Sequence, residues 1–579
     1  MTPSHPPKPR FALTIGVTGH RPNRLQQSAR ARVEQSVRDV LAAIWKDASE
    51  AHARTCGFFS ESAPVFTLVT ALAEGADIMA ARAALAAGYR LDAVLPFLAA
   101  EYEKDFSESE RENFSALCEA AHARFELDGN RSDSPKAYEA SGLVVLDVSD
   151  ILIAIWDGKP AAGRGSTVDT VHEAARRGMP IIHIDAEGAS ATRIFWSGLD
   201  NRHMRIAHME DYPAGLLTDH LPAIVEALVG PPRSQSERAS YRRYLGEKSN
   251  ARAVRFEFPL LMALFGIRAP RRSDFRAPQP AQLTGHLEGH ADTSEVLTDA
   301  YGWADAVATR HAQAFRGAFI SNFLVSALAT IAAVALTDPP WTALEIALVF
   351  ILVVNTTVGQ RRYWHHRWIE AREVAERLRI AAAMHAIWTR SFGHFGEAST
   401  WTGWYARAKL REAGLRSGSL DASHLEAARQ SLLAPLRDQR DYHAQSCRQF
   451  QRLHHRLATL GKYLFLAALT LAAGQFIVQG FHLVAETPAM KRWLVIASTC
   501  FTALGAAGYG IRVIGDFDGA ARRSDRMKAK LEALLSTLAK ASRSFASLRD
   551  IVHHAADVMV GDVERWRLVV ESRDLEIPG

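Results

Sequence analysis

Residues Ala318 to Val358 read AFISNFLVSALATIAAVALTDPPWTALEIALVFILVVNTTV, and this stretch decides what kind of chain it is. Two apolar runs, 318–336 and 342–358, are separated by Thr337-Asp338-Pro339-Pro340-Trp341. Each is close to the roughly 20 residues a helix needs to cross a bilayer. The pattern returns once, with runs at 463–480 and 493–511. Averaged over the chain, the hydropathy resembles that of a soluble protein. The apolar residues are simply concentrated in these four blocks.

Charge is asymmetric about the runs. The first linking loop holds no Lys or Arg. Arg361, Arg362, Arg367 and Arg372 follow the second run, Arg448, Arg452, Arg456 and Lys462 precede the third, and Arg512, Arg522 and Arg523 follow the fourth. Basic residues beside spans mark the cytoplasmic side. The sequence therefore predicts four membrane-spanning helices in a bacterial inner (cell) membrane, with both termini cytoplasmic. Lys491 and Arg492 lie in the second outer loop and run against this, but they are outnumbered. The alternative, four helices buried in a soluble core, fits neither the run lengths nor the charge asymmetry.

Composition excludes several classes. The net charge is +5, and no basic stripe accompanies it, so nucleic acid is not an expected partner. Cys56, Cys118, Cys447 and Cys500 are far apart, with neither a CxxC pair nor metal-type His spacing. They read as free thiols in a reducing compartment, and no metal site is expected. Met1 to Arg10 is polar and Pro-rich, without the apolar core of a signal peptide, which keeps the N-terminal domain in the cytoplasm.

The chain divides into five parts: an α/β domain at 10–230, a linker or interfacial region at 231–299, a first helical hairpin with its two spans at 300–392, a helical connector at 393–447, and a second hairpin with its two spans and C-terminal helices at 448–579. Within the linker, 256–265 is apolar but too short to span, so it either lies in the interface or packs as a helix on its own domain. Charged helices at 361–379 and 512–530 follow the two hairpins and suggest a loose internal repeat. Polar residues inside the spans are costly in lipid. Asn322, Asn355 and Gln475 are candidates for lining a pore, and hydrogen bonding between helices is the other reading. Four spans give few walls for a water path, so a pore would require a homo-oligomer.

In 10–230, strand and helix signals alternate, which predicts a Rossmann-like parallel sheet covered on both faces. The strands are expected at 11–17, 65–72, 91–97, 151–156 and 181–184, with helices at 26–44, 76–87 and 167–177. Ligands of such sheets bind at the C-terminal strand ends. Three of those ends are informative. The first holds Gly16, Thr18, Gly19, His20 and Arg21, where Arg21 can pair with a phosphate. The second holds Glu74, Gly75 and Asp77. The third holds Asp157 and Gly158, then Gly163, Gly165, Ser166 and Thr167 before a helix. A glycine-rich loop at a helix N-terminus offers free N–H groups to an anion. His20 capping a turn and Glu74 capping a helix are the plainer alternatives.

Gly16 to Arg21, Leu72 to Asp77, Leu95-Pro96-Phe97 and Asp150 to Thr167 resemble the SLOG superfamily over roughly residues 10–230. That superfamily includes the DNA-processing protein DprA, the LOG cytokinin-activating phosphoribohydrolases and the sensor region of TRPM channels. The second half resembles the SLATT-type membrane modules that accompany SLOG domains in bacterial conflict systems. The resemblance implies a nucleotide-derived signal as ligand, no required cofactor, the lipid bilayer as a partner, and ion leakage or membrane disruption as output in antiviral defence. LOG enzymes carry Pro-Gly-Gly-x-Gly-Thr-x-x-Glu, whereas this chain has Gly163-Arg164-Gly165-Ser166-Thr167-Val168-Asp169-Thr170. With Thr167 at the motif's Thr, the Glu position falls on Thr170; with Ser166 there, it falls on Asp169. Glu173 matches neither register. An alternative function is therefore a membrane-tethered nucleotide N-glycosidase using Glu74, Asp169 or Glu173, and a third is a scaffold with a vestigial site.

Overall fold

The computed structural model describes residues 4–25, 27–159, 165–188, 190–196, 213–248, 255–280, 295–335, 339–386, 400–480, 488–541, 544–570, 575 and 577. The predicted residues Gly163, Arg164 and Asp338 fall outside these.

The five expected strands form, with shifted ends: β1 (Ala12–Gly19), β2 (Val65–Thr70), β3 (Arg90–Leu95), β5 (Ile151–Trp156) and β6 (Ile181–Asp185). Four short ones were not foreseen: β4 (Ala123–Glu126), β7 (Arg193–Phe195), β8 (Ala214–Leu216) and β9 (Gly418–Ser419). The order is β8-β7-β6-β5-β1-β2-β3-β4-β9, with the central pairs parallel and β7 antiparallel to both β6 and β8. The chain thus runs outward from β1 to β4, then crosses back to place β5 on the other side of β1. Helices cover both faces: α1 (Arg30–Thr55), α2 (Ala76–Ala86), α3 (Ala99–Tyr102), α4 (Glu108–Ala120), α5 (Ser134–Val148), α6 (Thr167–Arg176) and α7 (Leu217–Val229). β1 and β5 are apolar nearly throughout, as strands buried on both faces must be.

The second half is all helical: α8 (Gln235–Leu245), α9 (Glu257–Leu264), α10 (Glu295–Ala335), α11 (Pro339–Arg361), α12 (Trp364–Ala386), α13 (Trp401–Ala413), α14 (Ala422–Gly480), α15 (Pro488–Ile514), α16 (Phe517–Lys540) and α17 (Phe545–Val570). Among the described residues, four helices are long and apolar enough to cross a membrane, and they hold the four expected runs, the first as far as Ala335. Their apolar side chains face outward: Phe350 is 66% exposed and Phe476 77%. A soluble core would have buried them; a bilayer-facing surface leaves them out. Asn322 and Asn355 meet between α10 and α11. Asn355 Nδ2 donates to Asn322 Oδ1 (2.7 Å), Asn322 Nδ2 donates to Thr356 Oγ1 (2.9 Å), and Arg255 donates to Asn355 Oδ1 (2.7 Å). Both asparagines thus take part in interhelical hydrogen bonding. Gln475 is half-buried on α14.

The repeat is visible in the architecture. In each half a long helix enters the first span, and the helix after the second span packs back along it, α12 on α10 and α16 on α14. Both turnarounds use a left-handed residue, Tyr363 (φ 53°) and Asp516 (φ 43°), each followed by an aromatic residue. Residues 257–264 form the short helix α9, which packs on α10. Its Leu261 and Met262 pack against α10, while Phe256, Leu260 and Leu264 are exposed at i, i+4, i+8 spacing.

The connector is built into the α/β domain. β9 pairs with β4 through Phe125↔Gly418 and Glu126↔Ser419. Arg411 of α13 donates to the buried carboxylate of Asp150 (2.7 Å), which also accepts from Thr14 N (3.0 Å). Trp401, Trp404 and Tyr405 pack with Phe58, Phe59, Tyr241 and Tyr244.

Candidate functional site

β1 lies between β5 and β2, so the three predicted strand ends converge. The β1–β5 gap is the point where strand order reverses, which is where open α/β sheets leave a crevice for ligands. His20, just beyond β1, crosses that gap. Its Nε2 lies 2.8 Å from Asp157 Oδ1 and 3.2 Å from Asp157 N, just beyond β5. A protonated Nε2 donates to the carboxylate, and a bare one accepts from the N–H, so the partner depends on the tautomer. Burial would raise Asp157, but the hydrogen bonds from His20 and the Lys159 N–H outweigh it and hold the carboxyl below its ordinary value.

The β2 end is a strained turn. Leu72 sits at φ 53°, a region bulky side chains avoid, and donates to Thr70 Oγ1 (3.2 Å). Gly75 follows at φ 108°, and a Cβ there would lie 2.8 Å from the His20 carbonyl. Asp77 is buried under the turn, accepting from Thr70 Oγ1 (2.8 Å) and Ala73 N (3.4 Å). Burial pushes its carboxyl up to about 6. A folded-state value above the unfolded one means that its protonated form favours the fold. That contribution is complete at low pH and is lost as pH rises through about 6. Asp77→Asn is therefore expected to match wild type near pH 4 and to exceed it by about 2 kcal/mol at pH 8. Melting curves of the full chain against pH check this, and equal melting at pH 8 would contradict it.

Arg21 lies over the Tyr138 ring (4.9 Å to the centroid) at the start of α5. The Tyr138 hydroxyl donates to Asp105, which Arg131 also holds (2.6 Å). Tyr138, Asp105 and Arg131 were not singled out from the sequence. They come from helical turns with no glycine or motif signal, and only the packing of α5 over the sheet brings them to Arg21.

The third end is tied to the first: Thr167 Oγ1 donates to the Gly19 carbonyl (3.0 Å). Gly165 sits at φ 75°, where a Cβ would overlap the Pro135 carbonyl. The glycine is thus demanded by α5 packing, and a side chain there would disturb the fold as well as any ligand. Ser166 and Asp169 form a capping box, with Asp169 Oδ2 accepting from Ser166 N (3.1 Å) and Ser166 Oγ accepting from Asp169 N (3.3 Å). A carboxylate thus already occupies the start of α6, where the sequence suggested an anion cradle.

The structure engages each candidate catalytic carboxylate. Glu74 accepts from Ser107 Oγ (2.7 Å) and N (3.3 Å), at the start of α4. Asp169 caps α6. Glu173 pairs with Arg176 and with Arg177 (2.8 Å) toward the far end of α6. Gly16 and Gly19 are close-packed against Ser149 and Ala76. Thr18 is half-buried, and Gly158 (φ 74°) has open space around it. No metal-binding cluster of His, Cys, Asp or Glu occurs among the described residues. No protein-family model matches the chain, and no curated protein matches it.

Proposed function

We propose that this chain is a membrane effector whose α/β domain binds a nucleotide-derived ligand at the β1–β5 crevice and biases the four-span half between two states, as in bacterial defence. One observation carries this reading: a continuous set of elements runs from the crevice to the spans. α5 carries Tyr138, against Arg21, in its first half and Asp147 near its end; α6 begins at Thr167 and is followed by Arg177. Asp147 accepts from Arg177 (2.7 Å) and, through two bonds, from Arg549 of α17 (2.6 and 2.7 Å). α17 spans 26 residues, about 39 Å at 1.5 Å per residue. Its far end meets the base of the spans through Trp566 against Trp368 and Arg567 to Glu373 (2.8 Å). A ligand shifts such an equilibrium only if it binds the two states unequally, and a rod joined to both sites supplies the means. The basic residues beside the spans favour a cytoplasmic α/β domain, and four spans favour a homo-oligomer.

The test is ligand-dependent leakage from vesicles containing the full chain. Nucleotides should act only from the face that exposes the α/β domain. Arg21→Ala removes a phosphate partner, and Gly158→Asp places a carboxylate in the open space beside the crevice. Each is expected to weaken nucleotide binding about tenfold or more and to abolish leakage. Unchanged affinity in both variants would move the ligand elsewhere.

The N-glycosidase reading has one feature in its favour, the His20–Asp157 pair, which can hold and move a proton at Nε2. Release of free base without leakage would make it the better account.

A further inference from the structure

A cavity of about 420 Å³ lies away from the sheet, between α9, α10, α12, α14, α16 and α17. It touches α10 where that helix's apolar run starts, at Phe319, and α15 just past the end of its run, at Ile514. Its lining is mixed: Phe258, Phe319, Phe450, Trp368 and Trp566 supply an aromatic wall, and charged and polar side chains the rest. Its volume is within the range of small-molecule sites, roughly 300–1,000 Å³.

Most charges lining it are neutralised in pairs: Arg268 with Asp274 (2.8 Å), Arg372 with Glu376 (2.6 Å) and Arg523 with Asp516 (3.2 Å). Arg316 is different. Its guanidinium lies between the rings of Phe258 (5.1 Å) and Trp368 (5.2 Å), and among the described residues no carboxylate meets it. Asp562 also lines the cavity, but no ion pair joins it to Arg316. Arg316 is thus the lining cation without a carboxylate on it, held in place by two aromatic planes. A guanidinium fork so fixed is pre-organised for a tetrahedral or planar anion.

We propose that this cavity binds an amphipathic anion with a phosphate head, the head on Arg316 and the apolar body along the aromatic wall. A phospholipid entering at membrane level and a soluble aromatic phosphate share this chemistry. The site is separate from the β1–β5 crevice, and its test does not depend on what binds there.

The experiment uses the full chain in neutral detergent, read by thermal shift and native mass spectrometry. The probes are short-chain phosphatidic acid, 2-naphthyl phosphate and short-chain diacylglycerol as the uncharged control. Wild type is expected to bind at least one of the phosphates and to ignore the diacylglycerol. Binding of phosphatidic acid alone identifies a lipid source, and of naphthyl phosphate alone a soluble one. Arg316→Gln should weaken the phosphate bound by tenfold or more. Ser446→Phe, which fills the cavity and leaves Arg316 in place, should block it as well. If Arg316→Gln loses its cooperative melt, Ser446→Phe decides. Absence of binding to wild type at millimolar probe, or wild-type affinity in Ser446→Phe, overturns the proposal.

Discussion

Asp147→Ala is expected to destabilise the protein by about 3–5 kcal/mol, the range for breaking a buried ion pair from one side. The Asp147 side chain is fully buried and faces Arg177 and Arg549, with His553 at 3.8 Å. Burial alone would raise its carboxyl, but Arg549 and Arg177, with His553 nearby, overcome that and hold it well below its ordinary value. A depressed folded-state value means that the stabilisation is present above the unfolded value, near 3.9, and is lost as pH falls through the folded one. The variant should therefore lose the wild type's steepest acid sensitivity. Removing the carboxylate strands Arg549, which is why the loss is large. A double-mutant cycle with Arg549→Ala separates coupling from simple damage. The double variant should recover about 1–3 kcal/mol relative to the sum of the singles. Hydrogen exchange over 545–553 should rise in each single variant. Strict additivity would show that α17 is not held through Asp147, and the proposed route from the crevice to the spans would fail with it.

Replacement of Glu247 by Ala should be comparably costly, about 3–5 kcal/mol, for the same reason at a different joint. Glu247 follows α8 and accepts from Arg310 of α10 (3.2 Å), His311 of α10 (2.6 Å) and Arg367 of α12. Arg310 and His311 are themselves 4% and 6% exposed, so the loss leaves a buried cation without its counter-charge. Burial pushes Glu247 up; His311, Arg367 and Arg310 pull harder and keep it below its ordinary value. Its stabilisation is again present above the unfolded value, near 4.3, and fades as pH falls through the folded one. Glu247→Gln keeps the shape and one acceptor, so it should cost less than the Ala variant and should flatten the acid limb. Thermal melts in detergent at pH 4 and pH 7.5 check both statements. An Ala variant that melts with wild type at pH 7.5 would show that α8, α10 and α12 are held by their apolar contacts alone.

Local sequence determined much of this molecule. The four apolar runs could be read because span length is a property of consecutive residues. β1 and β5 could be read as apolar strands, and α6 by its helical period. The three strand ends followed from those elements, since a parallel sheet collects its C-terminal ends on one edge.

What the tertiary structure alone decided concerns charge and distant pairing. β9 is two residues long and carries no period that a sequence could display. Its place beside β4 is set by residues nearly three hundred positions away, as in the Arg124 N to Ser417 bond with a separation of 293. Arg549 and Asp147 are 402 positions apart, and nothing in either neighbourhood marks them as buried partners. Periodicity registers only which apolar residues share a face. An ion pair is buried because two helices happen to close over it. The same holds at the crevice. Asp169 read as a candidate catalytic carboxylate, but its position three residues after Ser166 gave it backbone and hydroxyl partners. His20 read as a ligand-binding candidate or a turn cap, and became the group bridging two strand ends only because β5 returns to lie beside β1.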